Sequence, residues 1–151
     1  MFEELVFQYG YVGLFIVSFL AATILPLGSE IFVVAMVVSD FNVGVVFLVA
    51  TIANTLGAIT NYYVGKLGTH FVMSRYVKVD SDKRRKAERI YQKWGAPVLF
   101  LSWVPVVGDL LTVVAGGFKL KLSIFTFWVF LGKSFRYFFV IKSAELIARS
   151  V

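Results

Sequence analysis

Two of the four apolar stretches in this chain are broken at their midpoints by a proline with an acid four residues later: Pro26-Leu27-Gly28-Ser29-Glu30 and Pro105-Val106-Val107-Gly108-Asp109. Crossing a bilayer takes about 20 apolar residues, because a helix rises about 1.5 Å per residue through a core about 30 Å thick. Val43 to Gly65 and Leu122 to Ile147 meet that length without interruption. The other two do not. Tyr11 to Leu25 runs into the first break, with only Ile31 to Val38 beyond it; Ala96 to Val104 runs into the second, with Leu110 to Phe118 beyond. Proline, glycine and a carboxylate at a midpoint each oppose a plain continuous helix. Such a region is either a kinked span or a re-entrant hairpin that leaves by the side it entered. Irregular backbone at that depth is tolerated only where protein buries it or a wet cavity receives it.

Charge favours the hairpins. Of fifteen Lys and Arg, none precedes Lys66 and nine lie between Lys66 and Lys93. The stretch Arg75 to Lys93 precedes the second interrupted region, and Lys119 and Lys121 follow it. A hairpin puts all of these on one face, whereas a kinked span divides them, and basic residues collect on the cytoplasmic side. Glu3, Glu4 and Asp40 flank the first interrupted region with no basic residue near, which suits a hairpin on the opposite face. The expectation is an all-α integral membrane protein: two re-entrant helical hairpins plus two transmembrane helices. The second half enters from the other side, which makes an inverted repeat of the kind many transporters use. Landmarks recur in order. Tyr9-Gly10 and Trp94-Gly95 open the halves, Pro26/Glu30 and Pro105/Asp109 turn them, and Gly57 with Asn61-Tyr62 answers Gly132 with Arg136-Tyr137. The whole of 1–151 reads as one domain, with repeat one at about 9–66, a basic surface linker at about 70–93 and repeat two at about 94–148. The acidic start Met-Phe-Glu-Glu is unlike a signal peptide, so the first apolar segment is expected to be retained.

The linker ends in an expected amphipathic helix capped by Ser81, with Ala87, Ile90, Tyr91 and Trp94 on one face. Lys83, Arg84, Arg85, Lys86, Arg89 and Lys93 make the remainder cationic, a pattern for lying on a cytoplasmic surface against anionic headgroups. Basic runs also meet nucleic acids, but no recognition motif accompanies this one, and no nucleic-acid partner is expected. Hydrophobic residues make up 59% of the chain and charged ones 16%, too few to cover a soluble domain of this size. Cysteine is absent, which excludes disulfides and thiolate metal sites, and the single histidine, His70, reads as a surface residue. No metal site, cofactor or catalytic residue is expected. Membrane hydrolases and phosphotransferases need clustered acids, or a nucleophile beside a base, and two isolated acids offer neither.

Four ionisable groups fall at membrane depth: Glu30, Asp109, Lys133 and Arg136. Lys133 and Arg136 are one turn apart on one face of the last helix, about 16 and 21 Å from its start. The first span offers Thr51, Asn54, Ala58 and Asn61 as a stripe of small and polar residues. One reading is structural: the acids and bases neutralise each other and hold the hairpins, in a non-transporting accessory or interaction protein. The other is a polar chamber in which Lys133 and Arg136 hold an anionic headgroup, with Asn54 and Asn61 lining it. Glu30 and Asp109 then orient the bases or exchange protons, and turns at Pro26, Gly28, Pro105 and Gly108 present helix N-termini. Because buried ion pairs add little to stability, their presence favours the second reading. Proton coupling and a homodimer stay open.

At these residues the chain resembles a family. LPLGSEIFVVAMVVS, IANTLGAITNYYVGK, LFLSWVPVVGDLLTVVAGGF and LGKSFRYF are together similar to the DedA membrane proteins, which share the VTT (SNARE-associated) domain, and most like its short YqaA-type subgroup. The likeness runs from about Tyr9 to Ile147. It implies two facing re-entrant hairpins, an inner-membrane location and movement of lipids, either an anionic phospholipid or a polyprenyl phosphate; the charge asymmetry puts the basic centre on the cytoplasmic side. Glu30, Pro105, Ala115 and Gly116 match the family pattern. That pattern, Arg-Phe-x-Pro-Gly-x-Arg in the second hairpin, has Ser102 and Gly108 here at its two arginines, and its Gly-Asp before Tyr-x-x-Gly is Gly57-Ala58. Lys133 and Arg136 supply the positive charge instead.

Overall fold

Every element is helical in the computed structural model, which describes residues 2–23, 28–68 and 81–150, with side chains from Tyr9 onward except those of Ser81, Lys83 and Arg84. The elements run α1 (Phe2–Thr23), α2 (Ser29–Val38), α3 (Val43–Leu67), α4 (Ser81–Trp94), a 3₁₀ helix (Ala96–Trp103), α5 (Val107–Gly117) and α6 (Leu122–Ser150). Pro26, His70 and Arg75 lie outside the described residues. The 25 residues of α3 and 29 of α6 are long and apolar enough to cross a membrane. At helical rise they reach about 37 and 43 Å, more than the hydrocarbon thickness.

The chain divides into two compact units, and neither coincides with a sequence repeat. The first comprises Met1–Gly57 and Lys133–Val151, and the second Ala58–Gly132. Each therefore takes one interrupted region together with part of both long helices.

In the first unit, α1 packs on α2. Its core is Leu14 of α1, Val33, Met36 and Val37 of α2, Phe41, Val46 and Ala50 of α3, and Tyr137, Ile141 and Ala144 of α6. The descent of α1 onto α3 requires glycine, since a Cβ on Gly57 would sit 2.5 Å from the Phe19 carbonyl oxygen. In the second unit, α4, the 3₁₀ helix and α5 pack on one another. Their core joins Tyr62 of α3, Ala87 and Tyr91 of α4, Val98 and Leu99, Leu111 and Ala115 of α5, and Phe125 and Val129 of α6. Here the backbones of α3 and α5 touch: a Cβ on Gly65 would overlap the Val113 carbonyl, and one on Gly116 the Tyr62 carbonyl. Close approach through small residues is how helices associate where lipid removes the hydrophobic drive.

Both short helices end the same way. After α2, Phe41 N–H bonds the Met36 carbonyl and Asp40 N–H the Val37 carbonyl; after α5, Leu120 N–H bonds Ala115 and Lys119 N–H bonds Gly116. These are Schellman motifs with an apolar residue following the left-handed position. That position is filled by Asp40 (φ 58°) and Lys119 (φ 54°) rather than glycine.

Two elements differ from expectation. The first arm of the second interrupted region is 3₁₀, not α. The amphipathic helix α4 does form, but its apolar face is taken by protein: Ala87 and Tyr91 are buried and the Tyr91 ring stacks on Phe118 at 5.0 Å. Burial, with the neighbouring Tyr62, holds the Tyr91 phenol above its ordinary range, so it stays protonated. Trp94, expected on that face, is 65% exposed under the Lys93 ammonium.

Candidate functional site

In the first unit the site is built on the N-terminus of α2. The chain turns into the helix at Gly28, with no side chain capping the first N–H groups, and Glu30 stands in the first turn. A carboxylate there complements the partial positive charge of the helix end. Its Oε1 pairs with Nη2 of Arg136 on α6; the two side chains are 27% and 19% exposed. The adjoining residues also meet, with Ser29 Oγ and Tyr137 Oη 2.8 Å apart and both side chains buried. Consecutive residues of α6 thus grip consecutive residues of α2, one by charge and one by hydroxyl. A turn earlier on α6, Lys133 is 1% exposed.

The polar stripe of α3 faces inward as expected: Thr51, Asn54, Ala58 and Asn61 are all buried. Asn54 Nδ2 donates to the Ser18 carbonyl at 2.8 Å, tying α3 to α1. Around it Ser18 Oγ, Thr51 Oγ1 and Asn54 Oδ1 are buried with no hydrogen-bond partner. Native interiors leave few such oxygens, and polar ligands or water commonly answer them.

The second unit repeats the theme at lower charge. Asp109 stands in the first turn of α5, half-buried. Thr112 Oγ1 donates to its backbone carbonyl at 2.5 Å and accepts from Asn61 Nδ2 at 3.3 Å. Tyr62 Oη donates to the Leu120 carbonyl, pinning α3 to the start of α6. Pro105 is exposed at the turn. Gly108 is buried and has no room for a side chain, because a Cβ would come within 2.5 Å of the Ser102 carbonyl oxygen. That is one of the places where the family pattern has arginine.

The structure therefore brings Glu30 to Arg136, with Lys133 and Asn54 buried in the same unit, and links Asn61 to Asp109 through Thr112. Sequence reasoning missed Ser29, Tyr137 and Thr112. The first two are chain neighbours of the residues it chose, and Tyr137 also stood among the landmarks that recur in the two halves. Arg85, Lys86 and Arg89 of α4 are exposed; Lys83 and Arg84 lie on that helix, their side chains outside the described residues. Among the described residues no group of three His, Cys, Asp or Glu is placed to hold a metal ion.

A model of the VTT domain matches residues 25–145. The chain belongs to the VTT-domain, or DedA, family. Inner membrane protein YqaA of Escherichia coli K12 is 40% identical over 126 residues, covering 83% of this chain and 84% of the relative. Undecaprenyl phosphate transporter A of Staphylococcus aureus is 26% identical over 82% of this chain and 66% of the relative. A Lactococcus lactis protein named alkaline phosphatase-like is 28% identical over 83% and 64%. No solved structure matches the chain. Two helices fit to span a bilayer and relatives named for the inner membrane make this VTT protein an inner-membrane protein.

Proposed function

We propose that this VTT protein carries an anionic, phosphate-bearing lipid headgroup across the membrane through a polar chamber, with Arg136 as its principal contact. The observation that carries the reading is the Glu30–Arg136 pair at the N-terminus of α2. A guanidinium, a nearby ammonium at Lys133 and uncapped helix N–H groups form a setting for phosphate, and the Glu30 carboxylate occupies it as an internal anion. A headgroup arriving at Arg136 displaces that carboxylate, and a proton taken up by Glu30 offsets the exchange. Asn54 lines the path in the same unit, and Asp109 and Asn61 are the corresponding polar groups of the second unit. The relative named as an undecaprenyl phosphate transporter supports a lipid phosphate as the substrate class.

In this reading the single domain is an inverted repeat of two re-entrant hairpins, α1–α2 and the 3₁₀ helix with α5, and two spans. The matched helix ends support it: the same Schellman motif follows both short helices, and the basic residue at Lys119 but not at Asp40 agrees with placing the second hairpin's ends on the cytoplasmic face. The basic side of α4 then faces the cytoplasm.

The test is purified protein in liposomes with labelled phospholipids and polyprenyl phosphates, with and without a pH gradient. Flux that disappears in Arg136→Ala, folded and inserted, supports the proposal. Release of inorganic phosphate without flux favours a hydrolase, and neither activity with any lipid favours an accessory protein whose charges are structural.

A further inference from the structure

The second interrupted region holds two strained features in series. Its first arm, Ala96–Trp103, is 3₁₀ over eight residues, with i to i−3 bonds at its ends from Val98 N–H to Gly95 and from Val104 N–H to Leu101. Runs beyond three or four residues are uncommon, and a 3₁₀ stretch among α-helices often marks a hinge. Immediately after it, Val106 has φ 66° and ψ −58°, and Val107 N–H bonds the Pro105 carbonyl at 2.8 Å. That is a γ-turn of the rare positive-φ kind, with a β-branched residue at its centre. Val106 is 41% exposed, so packing does little to hold it there. A third cost lies one turn back, where Ser102 Oγ is buried without a hydrogen-bond partner.

Two glycines hold this arrangement. A Cβ on Gly108 would meet Ser102 backbone atoms at 2.5 to 2.7 Å, and one on Gly132 would meet Ser102 Oγ at 2.8 Å. Leu99 and Ser102, three residues apart and both buried, share the face so clamped. That spacing eclipses in a 3₁₀ helix and splays in an α-helix.

We propose that Ala96–Trp103 is a two-state segment that converts between 3₁₀ and α-helix, drawing the Pro105–Asp109 tip back along the arm. Eight residues measure about 16 Å as 3₁₀ and about 12 Å as α, a stroke of about 4 Å. Conversion frees Val106 to take a negative φ and turns the Ser102 hydroxyl toward the Val98 carbonyl, the bond serine makes inside α-helices. The glycine clamps favour the long form and the γ-turn favours the short one.

The chain has no cysteine, so a spin-label pair at Ala96→Cys and Trp103→Cys reads the arm directly in the full protein in lipid nanodiscs. The long form separates these backbone positions by about 14 Å and the short form by about 10 Å. The parent is expected to show both distances. Val106→Gly, which removes the strain, should shift the ratio toward the long form by about fivefold to a hundredfold. Gly132→Ala, which crowds the clamp, should shift it toward the short one. One distance common to the parent and Val106→Gly overturns the proposal, as does a shift of Val106→Gly toward the short form. Val106→Gly decides the matter alone if Gly132→Ala fails to insert. The readout is a distance, so it stands whatever lipid flux shows.

Discussion

Removing the charge of Glu30 should destabilise the first unit, and by more than removing the charge of its partner. The pair lies between two regimes. Exposed ion pairs contribute about 0–1 kcal/mol, while breaking a buried one costs about 3–5 kcal/mol because a desolvated charge is left behind. With Glu30 27% and Arg136 19% exposed, a coupling of about 2 kcal/mol is expected, near the middle of that range. The single variants are not equivalent. Arg136→Gln leaves a carboxylate at the N-terminus of α2, where the helix dipole offsets about 0.3–1 kcal/mol of the loss. Glu30→Gln leaves a less exposed guanidinium in the middle of α6, on the same face as buried Lys133, with no such relief. The assay is equilibrium unfolding in mixed micelles of parent, both singles and the double variant. The order should be double least affected per charge removed, then Arg136→Gln, then Glu30→Gln. A coupling energy below about 0.5 kcal/mol, the scatter of independent sites, would refute the claim that these residues act as a pair.

Three further outcomes follow from the packing and the charge pattern. Gly116→Ala should cost about 1–3 kcal/mol in the same unfolding assay, because its Cβ overlaps the Tyr62 backbone; Gly117→Ala, with 3.8 Å to its nearest neighbour, should be neutral or slightly stabilising. Tyr137→Phe should cost about 1 kcal/mol by stranding the Ser29 hydroxyl, and adding Ser29→Ala should recover most of that, read as the unfolding midpoint of the two variants. Single cysteines introduced at Lys86 and Ser123 should both be shielded from an impermeant reagent applied outside, while one at Ser39 reacts; labelling of Lys86→Cys without Ser123→Cys would exclude the second hairpin.

The long helices were legible because length and apolarity alone define them. α3 and α6 start at Val43 and Leu122 as read from sequence, and extend two and three residues beyond the expected Gly65 and Ile147. The breaks at Gly28 and Pro105 were legible for a similar reason, since proline and glycine act locally. Glu30 and Arg136 could be chosen, though not paired, from the scarcity of charge at that depth. The rest depends on contacts that leave no period in the chain. The Ser29–Tyr137 hydrogen bond joins residues 108 apart. The helix ends at Asp40 and Lys119 carry no glycine to announce a left-handed residue. An apolar arm such as Ala96–Trp103 reads alike as α or 3₁₀, and its close contacts with Gly108 and Gly132, one of them distant in sequence, leave no mark in its own residues.

The packing of α4 bears on how its basic face would meet a lipid surface. A helix that inserts apolar side chains between headgroups acts as a wedge, and its affinity rises where curvature opens packing defects. In α4, Ala87 and Tyr91 are already engaged inside the protein, while Arg85, Lys86 and Arg89 point outward. Of Ala87, Tyr91 and Trp94 only Trp94 stays exposed, so the apolar wedge is reduced to one ring at the end of the helix. In the proposed topology its attraction to a bilayer should therefore track surface potential, weaken within a Debye length as salt rises, and depend little on vesicle radius.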